Sequence, residues 1–373
     1  MIRRPPRSTQ SRSSAASDVY KRQILTGSVR TKKRREIHAG LEDGTLDILI
    51  GTHALLEDKV QFKNLGIAVI DEQHRFGVKQ RAKLWAKNEL PPHILVMTAT
   101  PIPRTLAMSV YGDLDISVID ELPPGRKEVK TVHRFDSNRL SVFKFMKDEI
   151  NKGRQVYLVY PLIEESAVMD YKDLMDGYES VSREFPLPKY QISIVHGKMK
   201  PADKEFEMQR FVKGETQIMV ATTVIEVGVN VPNASVMIIE SSERFGLSQL
   251  HQLRGRVGRG ADQSYCILLS SFKLSPEAKT RLKTMVETTD GFKIAEVDLK
   301  LRGPGNIMGT QQSGVLDLKI ADVVKDSKIL VAARNTAISL LQEDENLAKE
   351  ENILIKKAFI QMTKSSKIWS NIS

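Results

Sequence analysis

Asp71, Glu72, Gln73 and His74 follow the apolar run Ile67-Ala68-Val69-Ile70 without a break. Two adjacent carboxylates delivered by a strand end suit phosphoryl transfer. One acid can hold Mg²⁺, directly or through water, while the next polarises a water for attack on a γ-phosphate. A strand ending in Asp-Glu is by itself more often a strand end with solvated acids. The full Asp-Glu-Gln-His tetrad is sharper. A second group lies far along the chain, in Gln249-Leu250-His251-Gln252-Leu253-Arg254-Gly255-Arg256-Val257-Gly258-Arg259-Gly260. Arg256 and Arg259 are three residues apart, and two close guanidinium groups suit bidentate contact with phosphate. The interspersed glycines argue against a regular helix and let backbone approach another surface. An arginine supplied to a transferring phosphate and a basic turn touching nucleic-acid backbone remain alternatives for this pattern alone.

Weaker signals surround these two groups. Met97-Thr98-Ala99-Thr100-Pro101 places hydroxyl residues at another strand end, where they can bond carboxylates or simply cap a loop. In Ala221-Thr222-Thr223-Val224-Ile225-Glu226-Val227-Gly228-Val229-Asn230, Thr222 and Thr223 could meet phosphate oxygens and Gly228 would permit close approach. That segment reads equally well as a structural strand, turn and strand. Arg30, Lys32, Lys33, Arg34 and Arg35 form a charge run of the kind that is usually a solvated face. His38, His53 and His196 lack metal-ligand spacing, and with one cysteine a zinc site is not expected. No Ser-His-Asp arrangement is evident.

The elements that must position these groups alternate. Leu46 to Gly51, Gly66 to Ile70 and Ile94 to Met97 are short Ile/Val-rich runs, expected as parallel strands buried on both faces. A helical pattern such as Val78 to Lys87 lies between them. Leu122-Pro123-Pro124-Gly125-Arg126 stops any element and suits a linker. A second series follows, with strands expected at Gln155–Tyr160, Gln191–Val195, Gln217–Ala221, Ser235–Ile239 and Tyr265–Leu269. Helices are expected near 138–151, 201–213 and 248–254. In open parallel sheets of this βαβ kind, ligands bind at the carboxyl ends of the strands, which is where Asp71 and Glu72 fall. After about residue 275 the strands end, and helical patterns take over.

Composition bounds the class without naming it. Hydrophobic residues make up 41% of the chain and charged residues 27%, an ordinary globular balance. No run approaches the roughly 18 apolar residues of a membrane span, and no secretory signal is visible. Cys266 sits alone in an apolar run, so an internal disulfide is impossible and a reducing cytoplasm fits. The net charge of +10 hints at a polyanionic partner, but residues 1–23 hold six Lys or Arg against one Asp, half of that excess. This Ser- and Arg-rich leader has no apolar period. It is expected to be disordered and looks like an artefact of translated adaptor sequence rather than part of the fold, the alternative being a basic arm for nucleic acid.

Five stretches together resemble superfamily 2 helicases and, within them, the RecG-type branch-migrating helicases. They are Gly51-Thr52-His53-Ala54-Leu55-Leu56, the Asp71–His74 box continued by Arg75-Phe76-Gly77-Val78, Thr98 through Arg104, and Phe245 through Gly260. The fifth joins Asp298-Leu299-Lys300-Leu301-Arg302-Gly303-Pro304-Gly305 to Gly309-Thr310-Gln311-Gln312-Ser313-Gly314. This last resembles the translocation element that RecG shares with the transcription-repair coupling factor.

The resemblance implies an α/β fold of two tandem RecA-like parallel-sheet domains, the first incomplete, followed by a mainly helical C-terminal region. Its expected bounds are 24–122 and 129–275 for the two domains, 123–128 for the linker and 276–373 for the helical region. It implies ATP and Mg²⁺ as cofactors and branched DNA (replication forks, Holliday junctions) as partner. Asp71 would act on Mg²⁺ and Glu72 would activate the attacking water. Gln73 and His74 would couple the nucleotide state to the second domain, and Thr98 and Thr100 would link the ATP and DNA sites. Glu226 and Gly228 would lie at the cleft between domains. Gln252, Arg256 and Arg259 would face the γ-phosphate, with Arg259 the arginine finger. Arg302 and Gln312 would belong to the element that moves DNA.

Two departures stand out. Asn230 occupies a position where the family usually has Asp. No G-x-x-x-x-G-K-[ST] sequence occurs, so the N-terminal wedge domain and the first half of domain one are expected to be missing and the chain inactive alone. A fragment of the transcription-repair coupling factor and a non-enzymatic DNA-binding module are the alternatives.

Overall fold

The computed structural model describes residues 20–27, 29–72, 87, 92–98, 117–119, 121–161, 167–222, 231–260, 262–306 and 326–365, with side chains omitted at 167–173, 302–306, 327–328, 330 and 362–365. The chain divides into two compact units, Met1–Thr98 and Ala99–Ser373. No helix among the described residues is long and apolar enough to cross a membrane.

In the first unit, strand β1 (Arg22–Leu25) pairs in parallel with β2 (Ile48–Gly51), and β3 (Ile67–Ile70) with β4 (His93–Val96). Helix α1 (Thr31–Glu42) covers the first pair through Ile37 and Leu41, which pack with Leu25, Ala54 and Val60. A smaller cluster joins Leu56 and Ile70 to Ala68, Ile94 and Val96. Two expectations are corrected here. Strand β1 starts at Arg22, inside the segment 1–23 expected to be disordered. Pairing decides this: the amides of Asp47 and Ile48 both donate to the Lys21 carbonyl, and Asp47 Oδ2 accepts from the Lys21 amide at 2.8 Å. The strands are also not buried on both faces. Ile67 (60% exposed), Val69 (56%) and Leu95 (50%) face outward, while Ala68, Ile70 and Ile94 face the cluster. A continuous apolar run cannot by itself reveal whether its second face is covered. The expected helix Val78 to Lys87 lies outside the described residues apart from Lys87.

The second unit is built on a six-stranded, all-parallel sheet. Its strands are β5 (Lys130–Phe135), β6 (Gln155–Tyr160), β7 (Ile192–Val195), β8 (Ile218–Thr222), β9 (Ala234–Ile239) and β10 (Tyr265–Ser270), in the spatial order β5-β10-β9-β6-β8-β7. The central strands β6, β8 and β9 are buried at every position, and their side chains alternate between two cores. Tyr157, Val159, Met237 and Ile239 enter one core, while Val156, Leu158, Val236 and Ile238 enter the other. Helices α2 (Arg139–Asn151) and α3 (Ala167–Glu184) cover the second core with Val142, Phe143, Met146, Leu174 and Val181.

The first core receives α4 (Pro201–Val212), α5 (Leu247–Arg254), α6 (Pro276–Glu287) and α7 (Gly291–Asn306). Helices α6 and α7 therefore share the sheet's own core through Leu282, Met285 and Ile294. Strand β5 was not expected from the sequence. It lies at the sheet edge, and its alternation Lys-Thr-Val-His-Arg-Phe carries only partial burial. Beyond 326 the chain is helical again, in α8 (Ser327–Glu343) and α9 (Ile353–Ser365).

Gly177, inside α3, shows how tightly the second core closes. A Cβ added there would stand 2.3 Å from the ring of Tyr160 at the end of β6. An interior helical Gly→Ala change ordinarily stabilises by about 1 kcal/mol. Overlap with a buried ring costs about 1–3 kcal/mol and should win. Gly177→Ala is expected to lower the urea midpoint of unfolding; a raised midpoint would show that the ring yields freely.

Candidate functional site

Strands β3 and β4 end side by side, Ile70 paired with Val96 and the Met97 amide donating to the Ile70 carbonyl at 2.7 Å. The parallel register brings Asp71, Glu72 and Thr98 to one edge of the first unit. Asp71 is exposed, and no described cation pairs with it. Glu72 is half-buried, with φ of +56°. A left-handed Glu costs roughly 1–3 kcal/mol and persists where the surroundings over-determine it, a pattern concentrated at functional sites. Gln73, His74 and Thr100 lie outside the described residues.

The second unit positions its arginines by a helix and a glycine loop. Helix α5 begins with the Gly246 amide bonded to Gln249 Oε1 at 3.1 Å and buries Leu247, Leu250 and Leu253 on one face. Arg254 continues that face and is 4% exposed. Among the described residues no carboxylate pairs with it directly, Glu128 acting only from a distance. One guanidinium nitrogen donates to the Met285 and Thr288 carbonyls, each at 2.9 Å, and the other reaches His251 Nδ1 at 3.1 Å and the Thr289 carbonyl at 3.4 Å. Met285 lies in the last turn of α6 and Thr288 just past its end, where unpaired carbonyls and the helix dipole favour a cation. Arg254 is therefore a structural clamp at the root of the loop.

The loop itself is fixed by two of its glycines. Gly258 has φ of +75°, and a Cβ there would lie 2.7 Å from Val129. A Cβ on Gly260 would lie 2.8 Å from the Pro232 carbonyl. Gly255 has no such need. Arg256 and Arg259 emerge from this loop half-buried, and among the described residues neither guanidinium has an acidic partner or a hydrogen bond. Both act on Tyr157, whose hydroxyl is pushed up to about 12, chiefly by burial and against the pull of the two arginines. Arg259 is made less willing to carry its charge, first by burial and then by the nearby charges of Arg256 and Arg126. An uncompensated pair of partly desolvated cations is unfavourable until an anion arrives. Such a pair can receive a polyanion such as phosphate. Gln252 is half-buried on α5.

No sequence motif announces a further polar set at the carboxyl edge of this sheet. Tyr160 ends β6 opposite Thr222 of β8. Both are buried; among the described residues Thr222 Oγ1 has no hydrogen-bond partner, and the Tyr160 hydroxyl lies within reach of the Arg139 guanidinium. Beside them Arg139 forms a two-pronged pair with Glu240 at the end of β9, at 2.5 and 2.8 Å. Burial raises the Glu240 carboxyl, and Arg139 opposes that rise. Only their positions, Tyr160 last in β6 and Glu240 just after β9, could have singled them out. Cys266 is fully buried, its thiol pushed up to about 12 by desolvation, which makes it inert packing. Glu226, Gly228 and Gln312 lie outside the described residues. Arg302 falls on α7 with its side chain undescribed.

A six-stranded parallel sheet flanked by helices, with a half-buried arginine pair in the loop after α5, has the fold of a helicase motor domain of the RecA-like type. Residues 141–261 match the helicase conserved C-terminal domain, 8–109 match the DEAD/DEAH box helicases, and 288–373 match ATP-dependent DNA helicase RecG, domain 3, C-terminal. Over about nine-tenths of its length the chain is similar to RecG helicases. The RecG of Synechocystis is 52% identical over 334 residues, covering 90% of this chain and 40% of that protein. The RecG of Aquifex aeolicus is 51% identical over 343 residues, covering 90% and 43%. The chain thus spans less than half the length of these curated relatives. The solved structure of RecG bound to a three-way DNA junction aligns with a TM-score of 0.63 at 43% identity, covering 84% of this chain and 40% of that one. The DNA-bound helicase MrfA, at 18% identity and a TM-score of 0.53, shares the fold.

His251 supplies a pH test of the clamp. Burial, then the charge of Arg254, lowers its imidazole to about 4, and its neutral Nδ1 accepts from Arg254. The unfolded chain takes up this proton near 6.5, the folded chain only near 4. Between those values the unfolded state binds more protons, so stability falls as pH falls, by at most on the order of 3 kcal/mol from this residue. Urea unfolding at pH 7.5 and 4.5 should show this loss, and His251→Asn should shrink it. An undiminished difference in the variant would remove His251 as its source.

Proposed function

We propose that this chain is the carboxyl-terminal motor part of an ATP-dependent DNA helicase that drives branch migration and fork remodelling in recombination and repair, acting in the cytoplasm. The carrying observation is the Arg256–Arg259 pair, half-buried on a rigid loop with no acid beside it. Residues 24–122 and 129–275 would be the two motor domains, joined by 123–128 and followed by the helical region 276–373.

Asp71, exposed and without a described cation, suits Mg²⁺, which would neutralise phosphate charge. Glu72 would orient and deprotonate the attacking water. Arg256 and Arg259 would meet the γ-phosphate, Arg259 as finger, with Gln252 beside them. Gln73, His74, Glu226 and Gly228 would sense the nucleotide state, and Thr98 and Thr100 would relay it toward DNA. ATP would draw the two motor domains together, and hydrolysis would release them.

Movement would pass from α5 to α7, the helix that carries Arg302, and on to Gln312. That route is supported by the Arg254 clamp and by Ser248 Oγ bonded to Asp298 at 3.2 Å. Branched DNA, at replication forks and Holliday junctions, is the partner this reading implies, engaged together with an N-terminal wedge domain. The junction-bound RecG structure supports it, and the family match of 288–373 favours RecG over the transcription-repair coupling factor. Phosphate contacts would dominate affinity, so binding should weaken as salt rises.

The test joins residues 24–373 in frame to the preceding residues of the Synechocystis relative. The chain alone, lacking any G-x-x-x-x-G-K-[ST] sequence, is expected to hydrolyse no ATP. The joined protein should show junction-stimulated hydrolysis. Glu72→Gln should lower its turnover about 10²–10⁴-fold while nucleotide binding persists, and Arg259→Ala should lower turnover about 10³-fold or more. A joined protein that binds junctions but never hydrolyses ATP would leave the DNA-binding module standing instead.

A further inference from the structure

The short stretch that precedes β5 is tied to the arginine loop. Pro123, Pro124, Gly125 and Arg126 form a tight turn closed by the Arg126 amide on the Pro123 carbonyl at 3.1 Å. Gly125 sits at φ of +78°, the third-position glycine of a type II turn with proline before it. The turn aims Arg126 back at the loop, and its Nε donates to the Gly258 carbonyl at 2.7 Å. That carbonyl immediately precedes Arg259. Gly258 in turn packs against Val129 so closely that no side chain would fit. Glu128 adds two further ties, its carbonyl accepting from Gln263 at 2.8 Å and its carboxylate from Thr289 at 3.3 Å. Thr289 also offers a carbonyl to Arg254.

We propose that Arg126 is a positioning residue for the arginine pair: by holding the Gly258 carbonyl it sets the direction in which Arg259 leaves the loop, and it makes residues 123–128 move with that loop. The inference rests on the reading that the pair faces a triphosphate. Three features separate this role from that of an ordinary turn arginine. The bond is made by Nε, a donor fixed partway along the side chain, which leaves the terminal nitrogens directed elsewhere. Arg126 is near enough to add its positive field to Arg259. Among the described residues no carboxylate neutralises it. A cation placed beside two others is costly unless the three share an anion or one of them has a fixed mechanical task.

The experiment uses Arg126→Ala and Arg126→Lys, because lysine keeps the charge and lacks the Nε donor. In the chain as it stands, amide exchange at 256–260 should quicken at least tenfold in both variants, with exchange in β6 and β9 unchanged. In the protein joined to the relative's preceding residues, kcat for ATP should fall about tenfold while KM moves less than threefold. Unchanged exchange at 256–260 would overturn the positioning role. So would an Arg126→Lys protein with full kcat, which would reduce the residue to a local charge. Should the unsubstituted joined protein hydrolyse no ATP, the helicase reading falls instead, and the exchange measurement still decides whether Arg126 holds the loop.

Discussion

Arg254 is a buried guanidinium satisfied without any acid. Its charge is met by carbonyls at the end of α6 and the turn after it, and by a histidine kept neutral. Removing one partner of a buried cation leaves the rest of its desolvation unanswered, so such a group strongly opposes displacement. The loop after it starts from a fixed point. Its next two arginines can then be held near each other and partly desolvated without collapsing onto the nearest carboxylate. A rigid root, two glycines pressed against neighbouring backbone and a bond from Arg126 keep the pair in place before any anion is present. Preorganisation of this kind lets positive charge act on a phosphate without reorganisation at the moment of reaction.

The three arginines of Arg254-Gly255-Arg256-Val257-Gly258-Arg259 look alike in the sequence, and their division of labour is a matter of helix phase. Arg254 falls on the stripe that includes Leu247 and Leu250, so the last turn of α5 carries it into the core. Past Gly255 the helix ends, and Arg256 and Arg259 leave that stripe. The same packing draws α6 and α7 onto the core that α5 covers. The helix bearing Arg302 thus belongs to the same packed body as the arginine loop. A shift of the loop cannot be absorbed locally, because close-packed interiors transmit displacement.

Much of the second unit was legible. Strands β6, β8, β9 and β10 are mostly apolar because they lie inside the sheet and are covered on both faces, and helix α5 ends where the glycines begin. Edge strand β5 was not, since none of its residues is fully buried and its alternation resembles loop. The burial of the first unit was misread for the opposite reason: Ile67 and Val69 are as apolar as any central strand, yet they face outward. Strand pairing at Arg22 was hidden because the leader's composition is that of a disordered segment. Arg126 read as part of a stop signal, and only the turn it closes shows where its side chain goes. Asp71, Glu72 and Thr98 were legible as strand-end residues, and the parallel register of β3 and β4 explains why motifs so far apart in sequence emerge together.

The two halves of the candidate chemistry are built on different physical terms. On the first unit, Glu72 stands in a left-handed backbone conformation, so local strain holds an acid where its neighbours want it. On the second, a pair of arginines is held short of counter-charge, so the stored cost is electrostatic. A bound triphosphate would relieve the second cost. In the function proposed above one ligand would meet both groups, and its affinity would then be greatest for the state in which both hold it. Differential affinity is the quantity that can drive a change of conformation. On this reading the cost left in each unit is the source of the movement passed to α7.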